Sequence, residues 1–188
     1  MMGCLVLLIA ISFKVGVLAQ SSSSSPQPPT LTTAQTPDLG QHFKQLGLEG
    51  SILIYDSKQN RTYEHNPQRN ATAMKDIDRF WLQGPLKITP KEQIEFLQRL
   101  YRNDLPFSQR TMNLVKDIMV REQTPGYTLR GKTGWLTSTQ PGVGWFVGYL
   151  EQSNNVYFFA TTIDMNKIED APARIEITRR SLKDLGLL

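Results

Sequence analysis

The chain has 188 residues, of which 39% are hydrophobic and 20% charged, and this balance is typical of one globular domain with additional segments. The net charge of +4 is mild and spread along the sequence, and this argues against a nucleic-acid-binding function. The single cysteine, Cys4, excludes a disulfide framework. The two histidines, His42 and His65, lie in unrelated segments and are interpreted as surface residues, so we expect no metal site and no cofactor.

The first 19 residues have the character of a signal peptide. Leu5–Phe13 is an apolar core that is too short to span a bilayer, and Val17-Leu18-Ala19 places small residues at a cleavage site. No lysine or arginine precedes the core, which leaves open a weak signal or a misassigned start. We therefore expect residues 1–19 to be removed and the mature protein to be periplasmic or secreted, with no membrane association after cleavage.

A low-complexity segment follows over residues 20–35. It contains consecutive serines and a proline cluster and cannot bury apolar surface, so it is predicted to be a disordered linker. The folded domain is predicted to cover residues 36–188. Its first helix should have Thr36 as N-cap and Pro37 at the first helical position. The residues of this helix predicted to face inward are Leu39, Phe43 and Leu46.

Local patterns then predict a strand pair and two helices. Ser51–Asp56 is an apolar run that ends in a turn, and Arg61–Glu64 is its expected hairpin partner. Thr89-Pro90-Lys91-Glu92 combines an N-cap, a proline at the first helical position and a capping box, and a further helix should start at Ser108. The inward positions of the two helices are predicted at Ile94, Leu97, Tyr101, Met112, Val115 and Met119.

The remainder of the chain is predicted to be mostly strand. Tyr127–Thr133, Gly144–Glu151 and Asn155–Asp164 are rich in aromatic and β-branched residues, with a tight turn expected between the last two. Asp170-Ala171-Pro172 then opens a terminal helix with Ile175, Leu182 and Leu185 inward. This order of elements predicts an α+β fold in which helices flank an antiparallel β-sheet.

Two known motifs overlap at Lys132-Thr133-Gly134. K-T-G is a signature of the serine β-lactamases and penicillin-binding proteins. Residues 126–133 also fit G-x-x-x-x-G-K-T, the phosphate-binding loop, which requires a buried strand before it and a helix after it. Polar residues 121–125 precede the pattern and a loop is expected over 134–144, so nucleotide binding is rejected. The S-x-x-K signature, which supplies a nucleophilic serine and its lysine, is missing, because no serine has lysine three positions on.

The chain resembles the class D (oxacillinase-type) serine β-lactamases in two blocks, residues 38–73 and 76–188. The second block contains Phe80-Trp81-Leu82-Gln83-Gly84-Pro85-Leu86 and then RGKTGW, GWFVGYLE, VYFFATTID and APARIEIT, in the order of that family. The resemblance implies a sheet between helical layers. Near position 73/74 the family's S-x-x-K, S-x-V and Y-G-N boxes are absent, so an internal truncation that removed most of the helical subdomain is predicted. A genomic deletion and a gene-model error both remain open.

The resemblance implies roles for the residues around K-T-G. The Lys132 ammonium would help to bind substrate, and the Thr133 hydroxyl would hydrogen-bond the substrate carboxylate. Gly134 would keep the strand edge bare for a ligand. The backbone N–H of Trp135 would be one oxyanion-hole donor, while the other donor, the N–H of the nucleophilic serine, is missing.

Three more positions match functional residues of the family. Arg174 corresponds to the arginine that clamps the substrate carboxylate, a contact for which a planar guanidinium is suited. Trp81 corresponds to the tryptophan that hydrogen-bonds the carboxylated lysine, and Leu82 would line the pocket. No catalytic serine or lysine can be assigned.

These observations predict an inactive relative of enzymes that bind penicillin, hydrolyse β-lactam antibiotics and confer antibiotic resistance. The expected partner is a β-lactam or a peptidoglycan-like small molecule. One alternative is a weak non-catalytic binder of penicillin or peptidoglycan peptide. Another is a failed fold, in which the sheet face left bare by the truncation promotes aggregation. The oligomeric state is not determined by the sequence.

Overall fold

Six strands form one antiparallel sheet in the computed structural model, which describes residues 36–69, 88–137 and 139–188. The strands are β1 (Gly50–Asp56), β2 (Arg61–His65), β3 (Val120–Gln123), β4 (Tyr127–Leu136), β5 (Gly142–Gln152) and β6 (Asn155–Met165). Their order across the sheet is β2-β1-β6-β5-β4-β3. The predicted signal peptide and linker lie outside the described residues and stay predictions.

Four α-helices of the described ranges pack on this sheet. They are α1 (Gly40–Leu46), α2 (Pro90–Tyr101), α3 (Gln109–Ile118) and α4 (Ala173–Asp184), and a short 3-10 turn, Ile168–Asp170, precedes α4. The antiparallel sheet with flanking helices confirms the predicted α+β fold class. None of the helices in the described part of the chain has the length and apolar character needed to cross a membrane.

Both predicted hairpins are present. β1 and β2 pair with Tyr55 opposite Thr62, and the connection contains Asn60 at a positive φ of 51°. β5 and β6 are joined by Ser153 and Asn154, with φ of 49° and 62°. Two consecutive positive φ values fit the turn type whose twist matches that of the flanking strands.

One face of the sheet is covered by α1 and α4. Its core contains mostly large side chains that are almost completely buried: Leu39, Phe43, Ile52, Ile54, Leu129, Phe146, Leu150, Phe159, Ile163, Met165, Ile177, Leu182 and Leu187. His42 lies beside this core and is only 5% exposed, with its Nε2 2.7 Å from Asp184 Oδ2. The prediction that His42 is a surface residue is therefore wrong, because its burial depends on a partner near the end of the chain.

The other face is covered by α2 and α3. The predicted capping box at the start of α2 is confirmed, since Thr89 Oγ1 accepts the N–H of Glu92 and Glu92 Oε2 accepts the N–H of Thr89. Ser108 caps α3, as predicted. The helices contribute Ile94, Leu97, Leu100 and Met112 to a second core, and the C-cap residue of α3, Met119, joins them.

Two local predictions need correction. The first helix begins at Gly40, not after a Thr36 cap, because Asp38 Oδ1 accepts the N–H of Gly40 at 2.9 Å. The third strand of the predicted set, β4, continues to Leu136 instead of ending at Thr133. Because strand rather than helix follows Lys132 and Thr133, the phosphate-binding loop is rejected on structural grounds as well.

Candidate functional site

The K-T-G box lies on β4, beyond the point where the neighbouring strand β3 stops. β3 pairs with residues 128–130 of β4, and the N–H of Gly131 donates to Met119 O at 2.7 Å just past this pairing. Backbone groups of alternate residues point to the same side of a strand, so those of Thr133 and Trp135 face the side where Gly131 meets Met119. In the described part of the chain, no strand pairs with residues 131–136 on that side.

Lys132 and Thr133 extend to opposite faces of the sheet. Lys132 stands across from Val147, which packs with the α2 and α3 core. The Lys132 ammonium lies at the strand edge, where it donates to Thr133 O at 2.9 Å. Thr133 stands across from Phe146, which is buried in the α4 core. Directly paired residues share a face, so Thr133 lies on the α4 side.

Arg174 contacts the K-T-G box of β4 from helix α4. It lies in the first turn of α4, and its Nη1 donates to Gly134 O at 2.8 Å across 40 residues of sequence. The structure therefore brings Arg174 to Gly134, and with it a second positive charge near the strand that carries the Lys132 ammonium. Gly134 O lies on the side of β4 that pairs with β5, so Arg174 reaches the strand over the α4 face, while the Lys132 ammonium lies at the open edge. Two cationic groups on one stretch of strand favour the binding of an anion such as a carboxylate.

Trp135 combines two features at this edge. Its backbone N–H has the orientation that an oxyanion-hole donor on an edge strand requires. Its indole Nε1 is buried and has no hydrogen-bond partner among the described residues.

The preceding part of β4 has its own cluster of charges, which stabilise the fold. Arg130 Nε lies 3.0 Å from Glu151 Oε2, and Arg130 Nη1 donates to Lys116 O at 2.6 Å, near the end of α3. Lys116 Nζ donates to Tyr101 O at 3.0 Å, at the end of α2. Burial lowers the pKa of Lys116, and the nearby Arg130 adds to this shift. These cations close helix ends, a stabilising arrangement, and leave no group poised for chemistry.

Comparison with known proteins identifies the fold. Residues 43–183 match the penicillin binding protein transpeptidase domain. The chain belongs to this family. It is 38% identical over 122 residues to beta-lactamase OXA-5 of Pseudomonas aeruginosa, a match that covers 63% of this chain and 46% of the relative. It is 42% identical over 108 residues to beta-lactamase OXA-48 of Klebsiella pneumoniae, covering 57% of this chain and 41% of the relative.

Solved structures agree with this assignment. The crystal structure of the class D β-lactamase YbXI from Nostoc aligns with a TM-score of 0.73 and 43% identity, covering 80% of this chain and 99% of that one. Within the transpeptidase family the chain is therefore a class D serine β-lactamase-like protein, which confirms the resemblance drawn from its motifs. The chain spans about half the length of the curated relatives it matches.

Two of the predicted site residues cannot be placed in this β-lactamase-like frame. Trp81 and Leu82 lie outside the described residues, so their assignment to the pocket stays a prediction. No group of three acidic, histidine or cysteine side chains that could hold a metal ion occurs within the described ranges.

Sequence reasoning missed two residues that contact the site. Met165 Sδ lies 3.5 Å from Arg174 Nη1. Gly144 lies across from Trp135 in the strand register. The alternation of Gly142 and Gly144 on β5 was a signal for close approach to one sheet face, but only the register shows which side chains approach there.

Proposed function

We propose that this chain is a class D β-lactamase-like protein that does not hydrolyse β-lactams. Acyl transfer in this family needs a serine hydroxyl with a lysine beside it, because a hydroxyl without a base is a weak nucleophile. No serine of the sequence is followed three positions later by lysine. A truncation near position 73/74 accounts for this gap, and sequencing the locus across Ala73 and Met74 distinguishes a deletion from a gene-model error.

The missing nucleophile also affects the oxyanion hole. The Trp135 N–H would supply one donor, and the serine's own N–H would have supplied the second. Removal of one such donor typically lowers turnover about a hundred- to a thousand-fold. An adventitious nucleophile at this edge would therefore act in an incomplete site.

The remaining groups support weak recognition of a carboxylate. The contact that carries this part of the proposal is Arg174 Nη1 to Gly134 O, because it holds a guanidinium against the K-T-G strand. The Lys132 ammonium adds charge, and Thr133 adds a hydroxyl on the α4 side. With one wall of the cleft missing, we expect millimolar affinity for penicillin or a peptidoglycan peptide, on the order of −4 kcal/mol.

The first experiment tests the loss of hydrolysis. Purified protein is incubated with a chromogenic cephalosporin and, separately, with benzylpenicillin, followed by intact-protein mass spectrometry. We expect no colour change above the rate without protein and no mass increase. A stable acyl adduct on any side chain would contradict the proposal.

The second experiment tests carboxylate recognition. Benzylpenicillin is titrated into isotopically labelled protein and followed by NMR, which is suited to millimolar binding. We expect shifts around residues 132–135 that Arg174→Ala abolishes. Arg110→Ala removes an exposed arginine on α3 and serves as the control, with binding unchanged. Equal binding by all three proteins would argue against a role for Arg174.

We further propose that the chain is exported. Residues 1–19 would be removed as a signal peptide, residues 20–35 would form a linker and residues 36–188 the domain. Expression of the full chain in a bacterial host, followed by fractionation and N-terminal sequencing, should give a periplasmic or secreted product that begins at Gln20. A cytoplasmic product with an intact N-terminus would contradict this.

A further inference from the structure

Gly144 lies beneath the guanidinium of Arg174. A Cβ atom at this position would overlap Met165 Sδ and would stand 3.1 Å from Met165 Cγ and 3.2 Å from Arg174 Nη1. Gly144 is also directly opposite Trp135 in the pairing of β4 with β5. The absent side chain therefore leaves space that Met165 and Arg174 share.

Gly142 has a matching position two residues earlier on the same face of β5. A Cβ atom there would stand 2.9 Å from Trp135 Nε1 and 2.8 Å from Leu136 O. The two glycines thus form a shallow recess, which we call the glycine notch (Gly142 and Gly144). The indole of Trp135 reaches the first glycine, and the guanidinium of Arg174 reaches the second.

Met165 closes the notch from the side. It is the last residue of β6, stands opposite Gly142, and is 2% exposed. Protein interiors are close-packed, so the buried Met165 side chain has little room to move away from an added atom. A side chain at position 144 would push Met165 Sδ toward Arg174 Nη1, the atom that donates to Gly134 O.

We infer that Gly144 is a positioning residue: because it has no side chain, Met165 stays clear of the position that the Arg174 guanidinium occupies against Gly134 O. An arginine side chain has many rotamers, and a recess that admits one of them reduces the entropy lost when a ligand binds. This inference rests on the proposed carboxylate recognition by Arg174. It adds that recognition depends on the absence of a side chain at position 144 and not only on the presence of the arginine.

The test compares a single substitution that fills the notch with a double substitution that also removes the side chain it would overlap. Gly144→Ala adds the overlapping Cβ, and Gly144→Ala/Met165→Ala removes the two methionine atoms nearest to it. Gly126→Ala is the control, because a Cβ there would have only Thr124 Oγ1 near it, at 3.9 Å.

Two readouts are taken. The first is the solvent-exchange rate of the Arg174 Nε–H, measured by ¹⁵N NMR without ligand, since this nitrogen is buried. The second is the preference for benzylpenicillin over its methyl ester, which reports recognition of the free carboxylate. We expect wild type to prefer the acid by about tenfold, the range of a charged hydrogen bond.

In Gly144→Ala, the Arg174 Nε–H should exchange with solvent about tenfold faster or more, as expected for local opening. This variant should also lose the preference for benzylpenicillin over its methyl ester as completely as Arg174→Ala does. The double variant should recover most of both properties, and Gly126→Ala should match wild type. A purely structural effect of the added methyl group on β5 would not be rescued by shortening Met165.

The inference is overturned if Gly144→Ala folds and keeps both the slow exchange and the preference. If Gly144→Ala does not fold, the double variant decides: it should fold and exchange slowly, and unfolding or fast exchange in it overturns the inference. If wild type does not distinguish acid from ester, the proposed function fails, while the exchange rates still decide the role of Gly144.

Discussion

The helices on the two faces of the sheet differ in how far their apolar side chains are buried. Under α1 and α4, large side chains such as Phe43, Phe159 and Ile177 are at most 2% exposed. On the α3 side, Leu114 is 54% and Ile118 is 65% exposed. The first face has the packing of a finished core, and it also carries Arg174. On the second face the sheet residues are buried as well, including Tyr149 and Phe158, but α3 carries apolar side chains that are exposed.

The largest effect is expected from one substitution repeated on the two faces. Ile177→Ala in α4 creates a cavity in a fully buried core, so the free energy of unfolding should fall by about 2–5 kcal/mol. Ile118→Ala in α3 removes an exposed side chain and should change it by about 0.5 kcal/mol or less. Urea denaturation of both variants measures the difference. Equal losses would mean that the α3 face is covered in solution.

A smaller effect is expected from the capping box of α2. Thr89→Ala removes the acceptor for the Glu92 N–H and should lower the free energy of unfolding by about 1 kcal/mol. Thr89→Ser keeps the hydroxyl and should remain close to wild type. Hydrogen exchange of the α2 amides would show whether this loss is local to the second face or is shared with β1.

A pH-dependent effect is expected where edge strand β3 meets α4. Hydrogen bonds from Tyr127 and then from Arg179, at 2.6 Å, lower the pKa of Glu122 from its ordinary value of 4.5. A lowered pKa in the folded state stabilises the protein above the unfolded value, and this contribution is lost as the pH falls through the folded value. Wild type should therefore lose stability relative to Glu122→Gln below about pH 4.5. Parallel melting curves against pH would contradict this.

The smallest effect on stability is expected at the exposed apolar residues of α3. Ile118→Lys should change the free energy of unfolding by about 0.5 kcal/mol or less while reducing self-association. Asn113→Lys adds the same charge at a neighbouring exposed position and should leave self-association unchanged. Sedimentation velocity measures both. If Ile118→Lys has no effect on association, the exposed patch does not drive it.

Sequence reasoning succeeded where short-range chemistry decides the structure. The capping box of Thr89 and Glu92 and the turn at Ser153 and Asn154 each depend on groups a few residues apart. The same reasoning identified K-T-G as a motif and, through the resemblance, pointed to Arg174, which the structure brings to Gly134 and whose role in binding stays a prediction. These predictions needed no knowledge of how the elements pack.

Sequence reasoning failed where contacts between distant segments determine the structure. β3 is four residues long and largely exposed, so its sequence carries little strand signal, and only pairing with β4 defines it. Ile177 was missed in favour of Ile175 because the buried stripe of α4 depends on its rotation against the sheet. The role of Gly144 depends on the strand register, which places Met165 and Arg174 beside it.

The hydrogen bond between His42 and Asp184 has a consequence for folding during synthesis. It joins α1 to α4 across 142 residues, and β1 must likewise wait for β6 before it can pair on its second side. The ribosome must therefore synthesise the chain up to Asp184 before α1 meets the residue that pairs with His42. Such long-range contacts slow folding, so we expect the sheet to remain incomplete until β6 and α4 have left the ribosome.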